Sequence, residues 1–122
     1  MAFPFIMSLL KLKENRDFRR AYNKGKSYVS PFIVVYVNKN RTNNVRLGIT
    51  AGKKIGKAVQ RNRAKRVITA AFRNLLPMLP LGYDYVIVAR VRILTVKSTV
   101  VEGKFKKVLN ESGFLNINEN NG

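Results

Sequence analysis

The sequence predicts an α+β fold, a two-layer α/β sandwich with helices packed on a mixed sheet of about four strands. Three observations predict it. Periodic segments follow one another in the order helix, strand, strand, helix, strand, helix along 122 residues. A hydrophobic fraction of 46% supplies a core. Glycine, proline and asparagine punctuate the segments, and no linker is long enough to split the chain. One domain over residues 10–112 is expected, with 1–9 as an N-terminal extension and 113–122 as a flexible tail.

The first helix is expected to be capped by Asn15 and to end at Gly25, with Phe18 and Tyr22 on one face and Arg16, Arg19, Arg20 and Lys24 on the others. VSPFIVVYV, Val29 to Val37, is β-branched and aromatic and reads as a strand, with Ile33, Val35 and Val37 facing one way and Phe32, Val34 and Tyr36 the other. NKNRTNN is a turn by composition. In VRLGIT, Val45, Leu47 and Ile49 alternate with Arg46, Gly48 and Thr50, whose polar face would line whatever the sheet leaves open. A longer helix runs from about Ala58 to Leu76 and stops before Pro77. Its residues Ala64, Ile68, Ala71 and Leu75 should pack on the sheet, while Asn62, Arg66, Thr69 and Arg73 lie half a turn away, flanked by Arg63 and Lys65. A strand is expected over Tyr83 to Val91. A last helix, opened by Thr95 and closed by Gly113, would put Val101, Phe105 and Val108 on one face.

Charge is the strongest functional signal. The net charge is +18, and no acidic residue occurs between Asp17 and Asp84. A surface so one-signed repels itself and calls for a polyanionic partner. Most charge runs are solvated helix faces, but those interleave Glu for i, i+4 pairing, and the helix beginning at Arg61 has none. Asn62 between two arginines adds an amide that can bond sugar, base or phosphate, beside guanidinium forks that grip phosphate.

Other chemistries are excluded or weakened. The chain has no His and no Cys, which removes disulfides, imidazole and thiolate metal sites, and His or Cys catalysis, and fits a reduced, cytoplasmic setting. Its six acidic residues are scattered, without the convergence a two-metal nuclease needs, so no protein-borne catalytic or metal site is expected. GITAGKK and GKKIGKA miss the phosphate-loop spacing by one residue and lack a following GKS or GKT, so no small-molecule substrate is indicated. The loop can still present backbone N–H groups and the ammoniums of Lys53, Lys54 and Lys57 to an RNA phosphate. MAFPFIMSLL lacks a basic n-region and a cleavage site, so export is not expected; MSLLKLKENRDF reads as an ordinary start at Met7. A membrane-surface role lacks its large apolar helix face. Phe18, Tyr22 and Tyr36 are either plain core or the wall of an open groove that stacks unpaired bases.

KKIGKAVQRNRAKRVITAAFR, Lys53 to Arg73, resembles the signature of the bacterial ribonuclease P protein subunit, with its RNR element at Arg61, Asn62 and Arg63. ENRDFRRAYNKGKS, RLGITAGKKIG and GYDYVIVAR resemble the same family in order and spacing, over roughly Leu10 to Leu109. The resemblance implies an α/β sandwich with a left-handed βαβ crossover, against the general rule. It implies a subunit that binds the catalytic RNA through Arg61, Asn62, Arg63, Lys65, Arg66 and Arg73. Phe18, Tyr22, Tyr36, Arg46, Lys53, Lys54 and Lys57 would hold the 5′ leader of precursor tRNA, with Mg²⁺ held mainly by the RNA. Two departures from the family pattern are Thr69 and Val91, where basic residues are common. A ribosomal-protein-like structural RNA binder is the alternative.

Overall fold

The computed structural model describes residues 9–12 and 14–111. Its five strands are β1 (Leu9–Lys11), β2 (Lys26–Val29), β3 (Ile33–Lys39), β4 (Val45–Thr50) and β5 (Tyr83–Ala89), and its three helices are α1 (Asn15–Lys24), α2 (Ala58–Leu75) and α3 (Ser98–Glu111). The sheet order is β1-β4-β5-β3-β2. β4 pairs in parallel with β1 and β5, while β3 pairs antiparallel with β5 and β2. β3 and β4 are consecutive in sequence yet never neighbours, because β5 lies between them. α2 is the crossover from β4 to β5, the connection to which the resemblance assigns a left hand.

The sheet's alternation sets its two faces. Ile33, Val35 and Val37 of β3, Val45 and Leu47 of β4, and Tyr85, Ile87 and Ala89 of β5 form one buried cluster with Ala64, Val67, Ile68, Ala71, Phe72 and Leu75 of α2 and Val101, Phe105 and Leu109 of α3. Phe72 is central, with its ring 5.6 Å from Tyr85 and 6.0 Å from Phe105. Each fully buried Val, Leu, Ile or Phe side chain here contributes about 1.5–3 kcal/mol. Burial pushes the Tyr85 phenol well above its ordinary pKa, and its hydroxyl donates to the Pro80 carbonyl at 2.9 Å. On the opposite face a smaller cluster joins Leu12, Ala21 and Val86 with part-buried Phe18 and Tyr36, and this is where α1 packs.

Several boundaries differ from expectation. The strand expected from Val29 to Val37 is a hairpin: Val29 ends β2, and Ser30 turns the chain into β3. The buried Ser30 hydroxyl donates to the Ile33 carbonyl at 2.9 Å, and the Ser30 N–H donates to the same oxygen at 3.0 Å, while Pro31 has no N–H to give a ladder. Phe32, outside the strand, breaks the expected parity and packs into the larger cluster. Asn15 is the first helical residue and not the cap; Glu14 holds that position without a capping side-chain bond. α2 ends at Leu75, and Pro77 sits in a short 3-10 turn over Leu76–Met78. β5 ends at Ala89, a 3-10 turn covers Val91–Thr95, and α3 begins at Ser98 rather than Thr95. The extension expected over 1–9 overlaps β1 at Leu9; the rest of it, Met7, Gly113 and the tail lie outside the described residues.

Candidate nucleic-acid interface

The entry to α2 is tightly built. Gly56 has φ +135°, and a Cβ there would collide with the Gln60 side chain, whose oxygen accepts the Lys57 N–H at 2.8 Å. The Ile55 and Gly56 amides donate to Gly52 and Lys53 carbonyls at 3.0 and 3.1 Å. The loop amides expected to meet a phosphate are therefore largely spent internally, because this short turn closes on its own backbone. Its ammoniums are not: Lys53, Lys54 and Lys57 are exposed, anchored by buried Ile55.

Along α2 the buried positions hold the helix on the sheet, and the opposite face points Asn62, Arg63, Lys65, Arg66 and Arg73 into solvent. None of these four cations makes an ion pair among the described residues. Arg61 is half-buried and donates from Nη1 to the Gly56 carbonyl at 3.0 Å, which ties its guanidinium to the helix entry. Thr69, one of the two departures from the resemblance, turns its hydroxyl back to the Lys65 carbonyl at 2.7 Å. Val91 is exposed at the start of its 3-10 turn.

α1 crosses the strands on the other face. Phe18 lies over Gly48, where a Cβ would come within 2.7 Å of the ring, so only glycine admits this packing. Tyr22 stands edge-on to Tyr36 at 5.0 Å and shares a hydrogen bond with the Thr50 hydroxyl at 2.9 Å. Tyr22 remains 37% exposed, so it is a wall and not core. The resulting cleft is lined by Asn15, Phe18, Arg19, Tyr22, Ile49, Thr50 and Ala51. A second cavity shares Phe18 and Ile49 with it and is also lined by Lys65, Thr69 and Arg73. The aromatic cleft and the cationic face of α2 are thus brought together around Phe18.

Of the residues expected in the cleft, Phe18 and Tyr22 line it and Tyr36 packs against Tyr22, whereas Lys53, Lys54 and Lys57 are exposed on the loop beyond β4 and are not part of its lining; Arg46 is engaged elsewhere. Its Nε and Nη2 donate to the two oxygens of Asp84 at 2.6 and 2.7 Å, and Nη2 lies 3.6 Å from Asp17 of α1. The hydrogen bond it donates to Asp84 does most to hold the guanidinium above its ordinary pKa, against the opposing effect of burial. Its charge is spent inside the fold, pinning α1 to the sheet. The sequence reading missed this bridge, and it missed Arg19 in the cleft, although Arg19 carried a signal as one of the basic positions of α1; Thr50 lines the cleft from the polar face of β4 that the alternation of VRLGIT turns toward open space.

Fold and surface together define a polyanion-binding α+β protein, with a cationic helix backed by a sheet and an aromatic cleft beside it. Comparison with known proteins narrows this class. The family model described as Ribonuclease P matches residues 7–113. A Ribonuclease P protein component from Clostridium botulinum is 39% identical over 107 residues, spanning 87% of this chain and 96% of that protein. The RNase P protein of Staphylococcus aureus superposes with a TM-score of 0.75 at 32% identity, covering 86% of this chain and 96% of that one. The RNase P protein from Thermotoga maritima gives 0.73 at 32% identity, covering 83% and 96%. The chain belongs to the ribonuclease P protein family, the protein subunits of an endoribonuclease complex that works in tRNA processing with an RNA partner.

Proposed function

We propose that the exposed face of α2, through Arg61, Asn62, Arg63, Lys65, Arg66 and Arg73, binds the catalytic RNA of ribonuclease P, and that the cleft of Phe18, Tyr22 and Tyr36, with Lys53, Lys54 and Lys57, holds the single-stranded 5′ leader of precursor tRNA. Arg46 serves this cleft indirectly, by holding α1 in place. The observation that carries the reading is the juxtaposition around Phe18 of an exposed aromatic wall and an unpaired cationic helix face. Stacking on such a wall is worth about 1–3 kcal/mol per base and does not require a particular sequence.

Bond cleavage falls to the RNA and the Mg²⁺ it holds. The residues of this chain do not fit a primary Mg²⁺ site: no cluster of three or more candidate metal ligands occurs among the described residues, and Asp17 and Asp84 are both engaged by Arg46. Among the described residues no helix is long and apolar enough to cross a membrane, and the absence of Cys fits a cytoplasmic site of action.

Reconstitution tests this reading. Mixed with a bacterial ribonuclease P RNA at low Mg²⁺, the protein should stimulate precursor cleavage, and more for substrates with a leader than for those with a truncated one. No stimulation would refute it in favour of a purely structural RNA binder. Arg63→Ala with Arg66→Ala should make the log–log salt slope of RNA binding shallower by about one to two units. An unchanged slope would place the RNA surface elsewhere.

A further inference from the structure

Given that the exposed face of α2 meets the catalytic RNA, as proposed above, we infer that a notch in the edge of the sheet seats one unpaired base of that RNA. β1 ends at Lys11, and its parallel register covers only Val45 to Leu47 of β4. The Leu12 N–H still donates to the Leu47 carbonyl at 2.9 Å. Beyond that bond, Gly48 to Thr50 have no strand beside them on this edge among the described residues. A cavity of about 280 Å³ opens where the strand runs out.

The notch is built from both layers of the fold. Gly48 and Phe18 close it on the side of α1, since a Cβ at Gly48 would lie 2.7 Å from the Phe18 ring and 3.1 Å from Leu12. On the side of α2 its seat is Leu47, 6% exposed, and Phe72, which is fully buried. Both belong to the larger core cluster, so the gap is walled by side chains that packing has already fixed. Lys65, Thr69 and Arg73 line the mouth from α2 at positions i, i+4 and i+8, one ridge of the helix, and Lys11 lines it from β1.

The lining selects the ligand. No acidic residue borders the cavity. Lys11, Lys65 and Arg73 are exposed and make no ion pair among the described residues. An apolar seat ringed by such cations suits a group that is flat and apolar on its faces and flanked by negative charge, which is a base between its own phosphates. The volume falls just below the roughly 300–1,000 Å³ of pockets that enclose drug-sized ligands, which leaves room for one base and not for a stacked pair. Thr69 keeps the mouth open. It is the short, neutral member of its ridge, and its hydroxyl is turned back to the Lys65 carbonyl. The base comes from the catalytic RNA and not from the leader, because Lys65 and Arg73 belong to the helix face that meets that RNA.

The test fills the mouth without changing its charge. Thr69→Met should weaken binding of the full-length protein to ribonuclease P RNA by about tenfold, as loss of a stacked base does. The log–log salt slope should stay the same, because no phosphate contact is removed. Methionine is a better helix former than threonine, so α2 is retained. Thr69→Ala leaves the mouth open and should bind as the unsubstituted chain does. Neither variant should alter binding of a short single-stranded leader RNA. The unsubstituted protein gives an independent readout, since Leu47 lines this cavity and not the aromatic cleft. In a methyl NMR spectrum the Leu47 signals should move upfield when the catalytic RNA is added, through the ring current of the seated base, and stay in place with the leader RNA. Unchanged affinity in Thr69→Met, an equal loss in Thr69→Ala, or Leu47 signals that do not move would each overturn the inference. A loss confined to the leader RNA would overturn the choice of the catalytic RNA as the source of the base. If α2 does not bind that RNA at all, Arg63→Ala with Arg66→Ala leaves the salt slope unchanged; if only the notch is empty, that slope shifts and the Thr69 variants alone are silent.

Discussion

Replacing Arg46 with alanine removes the bridge that ties α1 to the sheet, and its cost follows from what is left behind. Asp84 is 1% exposed, and its two hydrogen bonds from Arg46 are the shortest ion-pair contacts described. Without Arg46 it keeps only the Asn40 amide at 2.9 Å, so a charged carboxylate stays buried and under-bonded. Removing one partner of a fully buried pair costs about 3–5 kcal/mol. Arg46 keeps 24% of its side chain exposed, so water can enter its place, and the expected loss is about 2–4 kcal/mol. For a chain of 122 residues that corresponds to roughly 6–15 °C in Tm. Urea unfolding followed by circular dichroism reads the loss. The double variant Arg46→Met with Asp84→Asn should recover a large part of it, because no buried charge then remains. A cost for Arg46→Ala below about 1 kcal/mol, typical of a surface ion pair, would refute the buried pairing of Arg46 with Asp84. So would a double variant no more stable than the single one.

Gly48→Ala should drive the Phe18 ring off β4, since the new methyl would approach ring carbons to 2.7 Å; leader-dependent stimulation should fall while affinity for the ribonuclease P RNA is kept. Tyr22→Ala should weaken binding of a short leader RNA by about 1–3 kcal/mol, measured by fluorescence titration, whereas Tyr22→Phe, which loses only the bond to Thr50, should cost far less. Alkali should destabilise the fold through Tyr85, whose phenol is raised from the ordinary value of 10.0. Below that value Tyr85 is neutral in both states. Above it the unfolded chain releases the proton first, so stability falls with rising pH by up to about 1.4 kcal/mol per unit. Tyr85→Phe should lack that contribution when unfolding is compared between pH 9 and pH 11.

What could be read from residues alone was whatever a local pattern determines. α2 was legible because its apolar positions recur at helical spacing, and Ala64, Ile68, Ala71 and Leu75 are all buried. β4 was legible because Val45, Leu47 and Ile49 alternate with Arg46, Gly48 and Thr50, and the sheet register keeps that alternation. β1 was not, because three residues in an apolar stretch carry no period. β2 was absorbed into β3, although Ser30–Pro31 held a turn signal that would have separated them. At the interface, the exposed cations of α2 follow from the absence of acids in their own segment. The bridge from Asp17 through Arg46 to Asp84 does not follow from any local pattern, since Arg46 and Asp84 are 38 positions apart. They meet only because β4 and β5 lie side by side.

That adjacency bears on how the chain is made. Among the described residues β5 is the last strand to leave the ribosome, and it is the one that joins the β1–β4 pair to the β2–β3 hairpin. Until Tyr83 to Ala89 has emerged, the two halves of the sheet have no shared edge, and the dry side of α2 has only a fragment of its support. A nascent chain stopped before that point would carry its most cationic helix without a completed platform, and a truncation there should give a polypeptide that binds nucleic acid by charge alone.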